Sequence, residues 1–385
     1  MSSAYTADVV VMGGGIVGAA CAYYLCREGL AVHLVEREFP GAGTSRAGNG
    51  LILQWPKEPG PLLELARQSA ALWAELSERL GESFDYRRNG CLVVAQSEGE
   101  WEAVQKRATL LAEWGIWGQQ VEGRELTTWE PHLAPDLAGG IFFPGEAQLD
   151  PRKATWALLR AAQRRGLKVH FATAVRGFER GRDGSLRGVR TAQGCLATRR
   201  ALLAAGVWSG EIAALAGVQL PICPRKGQVI VTERAPGFLS CPLLEAGYGQ
   251  FPAERGQLQV ALVAEPTAGG NLLIGSSREF VGFDRRVSLR VLQAVAARAR
   301  RFLPSLAKLQ ILRSYAGLRP FSPDGRPLIG PVPEVPGLYV ATGHEGSGIC
   351  LAPITGRLLA QWVTKQPLSV APEPFDPART SLAGE

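Results

Sequence analysis

The stretch Asp8-Val-Val-Val-Met-Gly13-Gly14-Gly15-Ile16-Val17-Gly18 constrains this chain more than any other part of it. An apolar run ends in glycines at Gly-x-Gly-x-x-Gly spacing, and the pattern that follows predicts an apolar helix from Ile16 to Arg27. A second apolar run, Ala31 to Val35, ends in Glu36. Strand, glycine turn, helix, strand and acid in that order form the phosphate-binding unit of a doubly wound sheet. Gly13 permits the tight turn, Gly15 lets the backbone approach a pyrophosphate, and Gly18 lets helix and strand pack closely. Ile16 and Val17 open the helix, whose free N–H groups and partial positive charge face the phosphates. Glu36 stands where a carboxylate takes both hydroxyls of an adenosine ribose. Arg37 beside it would suit a 2′-phosphate, but Glu36 would repel that group. A chain with 46 glycines produces triplets by chance. The strand before, the helix after and the acid at the end set this one apart.

A chain of 385 residues is long for one core and predicts two domains. Apolar residues at 46% and charged residues at 20% are ordinary for a soluble globular protein. The net charge of +7 is spread over scattered arginines, which gives no nucleic-acid face but allows a basic rim that attracts an anionic substrate. Seven cysteines without a C-x-x-C pair argue against a disulfide framework, a metal site or an iron–sulfur cluster in this chain. Free thiols in a reducing, cytoplasmic compartment are the expectation. The N-terminus lacks a basic n-region, and no apolar stretch reaches membrane-spanning length.

After Glu36, the stretch Gly41 to Gly50 is too rich in glycine and small polar residues for a regular element. Thr44, Ser45, Asn49, Gly50 and Leu51 read either as a second grip on the pyrophosphate or as an ordinary solvent loop. Leu62 to Leu80 has helical periodicity, with Trp73 on its core side. A strand is predicted over Tyr86–Ala95 and a helix over Glu100–Trp114. Trp101, Trp114, Trp117 and Trp129 read as packing of a second domain. Asp150 and Pro151 are N-cap and first residue of a helix reaching Arg164. A strand follows over Leu167–Ala174, then a hairpin over Val189–Thr198. Leu202-Leu-Ala-Ala205-Gly206-Val-Trp208 reads as a buried parallel strand ending in a glycine turn. Strands over Gln228–Thr232, Gln257–Val263 and Leu272–Gly275, with a helix over Val287–Phe302, predict a mostly antiparallel layer. Arg313 to Pro320 leads back to the first domain. A strand, Leu338–Ala341, then enters Thr342-Gly343-His344-Glu345-Gly346-Ser347-Gly348 and a helix from Ile349 to Val363. The tail from Pro367 is predicted to be irregular.

A nicotinamide dinucleotide predicts one compact unit of alternating strands and helices. Here one phosphate turn lies at the extreme N-terminus and a second helix-terminal glycine loop comes more than 300 residues later. FAD fits that separation, with ADP at the first turn and the flavin ring near the last. The helix starting near Ser347 would direct its positive end at the flavin N1–C2=O edge, where negative charge accumulates on reduction.

The chain resembles the glycine/D-amino-acid oxidase family of FAD amine oxidoreductases over nearly its whole length. The marks are Gly13-x-Gly15-x-x-Gly18 with Glu36-Arg37, Thr44-Ser45-Arg46, Leu149-Asp150-Pro151, Ala204-Ala-Gly206-Val-Trp208-Ser209, Lys226-Gly227-Gln228, Gly317-Leu-Arg319-Pro320 and Thr342-Gly343-His344. The stretches Gly275 to Asp284 and Gly343 to Gly348 resemble a narrower branch, the flavoprotein subunits of D-hydroxyproline dehydrogenase, opine oxidase and hydrogen cyanide synthase.

The resemblance implies an α/β fold, a Rossmann-like FAD-binding domain with a second, mostly antiparallel α+β substrate domain, as in glycine oxidase. Residues 1–85, 141–223 and 315–385 are expected in the first and 86–140 and 224–314 in the second. It implies that Arg319 holds a substrate carboxylate, His344 lies beside the flavin, Tyr248 closes the substrate site with its hydroxyl, and Val175 meets adenine through its backbone. Ala205, Gly206, Trp208, Gly317, Gly343, Gly346, Ser347, Gly348 and Ile349 complete the expected cofactor contacts. No counterpart of the family's covalent flavin residue is evident, so the FAD is expected to be non-covalent. Nor is the oxygen-activating lysine of sarcosine oxidases, which favours a dehydrogenase. The implied reaction is hydride transfer from the substrate Cα–H to flavin N5. First choice of substrate is D-hydroxyproline, then an opine, then glycine. Electrons are expected to pass to ferredoxin-like and FAD/NAD-type partner subunits in a hetero-oligomer, any membrane association coming through those partners. Two rival readings are a nicotinamide-dependent dehydrogenase and a non-catalytic, FAD-stabilised subunit.

Overall fold

The computed structural model describes residues 6–249 and 257–379. The apolar run that opens the chain becomes the strand Val9–Met12, buried along its length, inside a six-stranded sheet. The order is Leu328–Pro331, Leu338–Thr342, Ala201–Leu203, Val9–Met12, Val32–Val35 and Lys168–His170. All neighbours are parallel except the first pair. Such strands lie between two covering layers and so carry unbroken apolar runs. One layer is helical: Ile16–Arg27, Pro151–Gln163 and Gly348–Thr364 share a core with this face. The other is the meander Val175–Arg180, Leu186–Thr191, Gly194–Ala197 with the short helix Ser209–Ala214.

The first and last helices of the chain touch at backbone distance. A Cβ on Gly356 would lie 2.7 Å from the Ala20 carbonyl, so only glycine permits the crossing. Helix Pro61–Arg79 braces the same corner. Its Trp73 is fully buried and donates through Nε1 to the Ile349 carbonyl at 2.9 Å, while Ser69 Oγ donates to the Cys350 carbonyl at 2.6 Å. Both contacts seat the start of the last helix. Asp150 caps Pro151–Gln163 as its sequence predicts, accepting from the Arg152 and Lys153 N–H groups.

The second sheet has eight strands in the order Ile311–Phe321, Cys223–Arg234, Asn271–Arg278, Gln259–Pro266, Leu243–Glu245, Cys91–Ala95, Gly139–Phe143, Gln119–Glu122. Only Leu243–Glu245 and Cys91–Ala95 run parallel. Helix Leu289–Phe302 packs on one face, and helix Glu98–Ala112 covers part of the other.

Several local expectations change. The strand expected from Tyr86 starts at Cys91, after Gly90 turns the chain at φ +75°. The strand expected to reach Ala174 stops at His170, before Ala172 at φ +48°. Trp101 is core, but Trp117 is 60% exposed. Arg313 to Pro320 is not a return to the first sheet. It lies in the edge strand of the second, paired along the length of Cys223–Thr232. The expected cut points at 141 and 315 therefore fall inside strands. The tail has one short turn, Glu373–Phe375, with Phe375 buried, and 380–385 lie outside the described residues.

Candidate active site

The carboxyl ends of the parallel strands and one face of the eight-stranded sheet enclose a cleft of about 850 Å³. Ligands of open α/β sheets bind at such carboxyl ends. The glycine turns from both ends of the chain, Gly13–Gly15 and Gly346–Gly348, line this one cleft. Fold topology thus joins what the sequence separates.

At the first end, Gly13 turns at φ +111°, and a Cβ there would lie 2.5 Å from the Ala204 carbonyl oxygen. A Cβ on Gly18 would lie 2.0 Å from the Gly13 oxygen, so Gly18 serves packing and does not line the cleft. Glu36 accepts from the Gly14 N–H at 2.7 Å and the Glu38 N–H at 2.9 Å, which fixes its carboxylate at the mouth. Arg37 stacks over Trp208, its guanidinium carbon 3.8 Å from the ring centroid. Val175, Ala205, Gly206, Ile16 and Val17 lie on the same wall.

The polar loop is pinned by its own hydroxyls. Ser45 Oγ accepts from Ile16 N–H at 2.9 Å, and Thr44 Oγ1 donates to the Leu318 carbonyl at 2.6 Å. Both residues line the cleft, as do Asn49 and Leu51. Gly50 does not. Its N–H is held by the Glu265 carboxylate at 3.0 Å, and a Cβ would fall 1.6 Å from the Leu149 oxygen. Glu146 does the same for Gln54 and Trp55, accepting their N–H groups at 2.9 and 2.8 Å. Burial pushes both carboxyl groups up to about 7 against those N–H donors. Neither glutamate was visible as a site feature in the sequence. Together they hold the segment that carries Leu51, Leu53, Pro56 and Lys57 onto the wall.

At the other end the second sheet offers alternate residues to the cleft. They are Arg225, Gly227 and Val229 on one strand, Gly317, Arg319 and Phe321 on its neighbour, and Ser276 and Arg278 on the next. Arg319 is half-buried, and its Nη1 donates to the Ser277 carbonyl at 3.0 Å. Its guanidinium folds over Gly227, where a Cβ would be 2.3 Å from Nη1. Burial lowers its proton affinity, Glu345 restores part of it, and Arg278 lowers it again; a guanidinium stays charged regardless. Tyr248 is half-buried on the rim, with the Arg278 guanidinium 5.1 Å from its ring centroid. Arg225, Arg278, Glu345 and Lys57 were not read as site residues. Arg225 pairs directly with Arg319 in a register that only the fold discloses.

His344 is buried, with Nε2 3.0 Å from Thr355 Oγ1. That hydroxyl donates to the Leu351 carbonyl, so it accepts from the imidazole, which places the proton on Nε2. Burial pushes the imidazole down to about 3. His344 is therefore a neutral group and a poor base. Gly343 does not line the cleft; it forms the turn at φ +74°. Ser347, Gly348 and Ile349 do, at the start of the last helix.

The residues present fit an extended dinucleotide. Gly15 and Gly346 form open cradles: a Cβ on the first would meet only Ser45 Oγ at 3.2 Å, on the second only Arg319 Cδ and Nε at 4.0 Å. Gly13, Gly15, Ser45, Glu36 and Val175 would hold the ADP half, and the 346–349 turn the far half. Among the described residues no cluster of metal-binding side chains occurs and no helix is long and apolar enough to cross a membrane.

Residues 8–362 match the model of the DAO family, FAD dependent oxidoreductase. The chain is 34% identical to the glycine oxidase of Pseudomonas aeruginosa over 96% of its own length and 98% of that protein's. It is 32% identical to the hydrogen cyanide synthase subunit HcnC of the same organism, over 97% and 96% of the two chains. The crystal structure of glycine oxidase from Geobacillus kaustophilus superposes with a TM-score of 0.87 at 29% identity, covering 97% of this chain and 98% of that one. The cleft, its two glycine turns and these likenesses agree: the chain belongs to the DAO family of FAD-dependent oxidoreductases.

Proposed function

We propose that this protein is an amino-acid dehydrogenase that oxidises the C–N bond of a secondary or D-amino acid and passes the electrons to partner subunits. One observation carries it: Arg319 stands in the same cleft as the two glycine turns, with Gly346 beside its side chain. Its planar fork suits a carboxylate taken in bidentate fashion. Bound FAD supplies the hydride acceptor. The chain's own work is positional: Arg319 fixes the carboxylate and so aims the Cα–H, and Tyr248 closes the rim. The N-terminus of Gly348–Thr364 offers positive potential at its end of the cleft. The substrate amine binds neutral and its lone pair assists departure of the hydride, leaving an imine. Water takes the amine proton, because the neutral, buried His344 is too weak a base. Cys350 Sγ contacts the Leu53 carbonyl and His344 contacts Thr355, so both side chains are engaged within the protein, in keeping with non-covalent FAD.

D-hydroxyproline is the first choice from sequence, an opine or glycine the alternatives. Redox partner subunits of ferredoxin-like and FAD/NAD type remain part of this reading, supported by the likeness to a protein named as a synthase subunit. Anaerobic flavin reduction with D- and L-proline derivatives, opines and glycine tests the reading. Arg319→Ala should lower kcat/KM by about 10²-fold or more. Flavin that no amino carboxylate bleaches would end the proposal.

A further inference from the structure

The segment between the strand Asn271–Arg278 and the helix Leu289–Phe302 buries little of itself. Val281, Gly282, Phe283, Arg285, Arg286 and Val287 are all exposed. A stretch with so little core opens readily unless something outside holds it. Two buried polar side chains hold this one. On the strand Cys223–Arg234, Arg225, Gly227 and Val229 line the cleft, and Lys226 and Gln228 alternate with them. Lys226 is 3% exposed. Its Nζ lies 3.3 Å from Glu279 Oε1 and 3.8 Å from Asp284 Oδ2, and it donates to the Arg286 carbonyl at 3.3 Å. Gln228, fully buried, donates from Nε2 to Glu279 Oε1 at 2.9 Å and accepts the Ser288 N–H through Oε1 at 2.8 Å. The two side chains thus grip the segment at its start and at its end. A lysine is rarely buried so far, and desolvating its ammonium offsets much of what the pairing returns. What the arrangement secures is the course of residues 279–288.

That course carries one aromatic ring to each sheet. Phe280 meets Phe321 edge to face at 5.2 Å, with the Arg225 guanidinium 5.3 Å from each ring. The chain then turns at Gly282, φ +61°, and Phe283 stacks on Trp208 with centroids 6.1 Å apart. Trp208 follows the strand Ala201–Leu203 of the six-stranded sheet and lines the cleft beside Arg37. The polar loop abuts the same ring, since a Cβ on Gly43 would lie 3.3 Å from it. Phe283 does not line the cleft, so it reaches the nucleotide end only through Trp208.

We propose that residues 279–288 are a clasp over the nucleotide end of the cleft, closed by Phe283 on Trp208, with Lys226 as the positioning residue, and that its opening limits both entry and escape of FAD. The closing contact is made between two protein rings. Weakening it makes opening more frequent by the same factor in both directions, so both rate constants rise together and affinity barely moves. A residue that held the dinucleotide itself would change escape and affinity instead. The inference goes beyond the functional reading above and does not depend on which amine is oxidised.

The test uses the full chain. Flavin fluorescence after dilution of the loaded protein follows escape of FAD, and the fluorescence change on mixing stripped protein with FAD follows entry. Phe283→Ala should raise both rate constants about 3- to 10-fold, the worth of one aromatic pair, and leave the dissociation constant within about twofold. Lys226→Met should act in the same way, and Lys226→Arg should restore part of the slow exchange. Leu289→Ala, 71% exposed and outside the clasp, should leave both rates unchanged. Unchanged escape in Phe283→Ala overturns the clasp. So does faster escape with unchanged entry, since Phe283 would then serve affinity alone. Faster exchange in Phe283→Ala with parent rates in Lys226→Met removes Lys226 as the positioning residue. Where Lys226→Met fails to fold, Phe283→Ala decides, because Phe283 is 44% exposed and outside the core.

Discussion

Gly227→Ala separates the position of Arg319 from its presence. The added Cβ would stand 2.3 Å from Nη1, 2.5 Å from Nη2 and 2.6 Å from Cζ of Arg319. Carbon contacts settle at about 3.5 Å or more, so the guanidinium must move by roughly 1 Å. The move breaks its 3.0 Å bond to the Ser277 carbonyl, a loss of about 1 kcal/mol. The displaced atoms end a flexible side chain, and alanine is at ease in a strand, so the folding cost stays within about 1 kcal/mol. Catalysis fares worse, because a misplacement of about 1 Å costs about 10²-fold in rate. Gly99→Ala is the control, since a Cβ there meets nothing within 4 Å. Thermal melts, flavin content and anaerobic reduction rates should show Gly227→Ala folded, loaded with FAD and about 10²-fold slower. Unchanged kcat/KM in a flavin-loaded Gly227→Ala protein would show that Arg319 does not aim the substrate.

Glu36→Ala removes the acceptor for the Gly14 and Glu38 N–H groups, and on the proposed reading the acceptor for the ribose. FAD should dissociate about 10- to 100-fold more readily, and full flavin retention after dialysis would count against the ribose assignment. The imidazole of His344 sits at about 3, so kcat/KM should show no inflection that His344→Asn abolishes between about pH 5 and about pH 9. Glu146 and Glu265 are raised from 4.5 to about 7 by burial. The folded state then binds more protons than the unfolded, so the stability they contribute is present below pH 4.5 and is lost as pH rises through about 7. The change is at most about 3 kcal/mol for each group. Urea melts should show Glu146→Gln with a flatter decline between those pH values than the parent protein; identical slopes would contradict the assignment.

Much of the nucleotide half was legible because each of its steps is local. The spacing of Gly13, Gly15 and Gly18 and the alternation of apolar runs with a helix need no knowledge of distant contacts. Asp150 before Pro151 announced its own helix. The two-ended cleft was legible for another reason: two glycine turns opening helices, far apart in sequence, have few uses other than one long ligand. Gly50 escaped correct reading because its neighbour is the carboxylate of Glu265, 215 positions away. Within the loop sequence, an N–H held by a buried acid looks the same as an N–H open to phosphate.

The second sheet was harder because its strands carry charge on the buried face. Periodicity rules treat a cation at alternate strand positions as a sign of solvent. Here Arg225 and Arg319 occupy such positions and face the cleft, opposite one another across an antiparallel pair. The same rule read Arg313 to Pro320 as a connection when it is part of an eleven-residue strand. Gly227 and Gly317 are paired in that register too, one making room for the Arg319 guanidinium and the other for Ala47 Cβ at 2.6 Å. Glycine beside arginine, repeated on two neighbouring strands, is thus the sequence trace of a sheet that lines a polar cavity. Gly227 removes a side chain from the wall so that Arg319, two positions along the paired strand, can lie across the space, and Gly317 lets the loop at Ala47 approach. A strand pair facing water has no use for that pattern, since exposed guanidinium groups extend outward and need no room along the sheet.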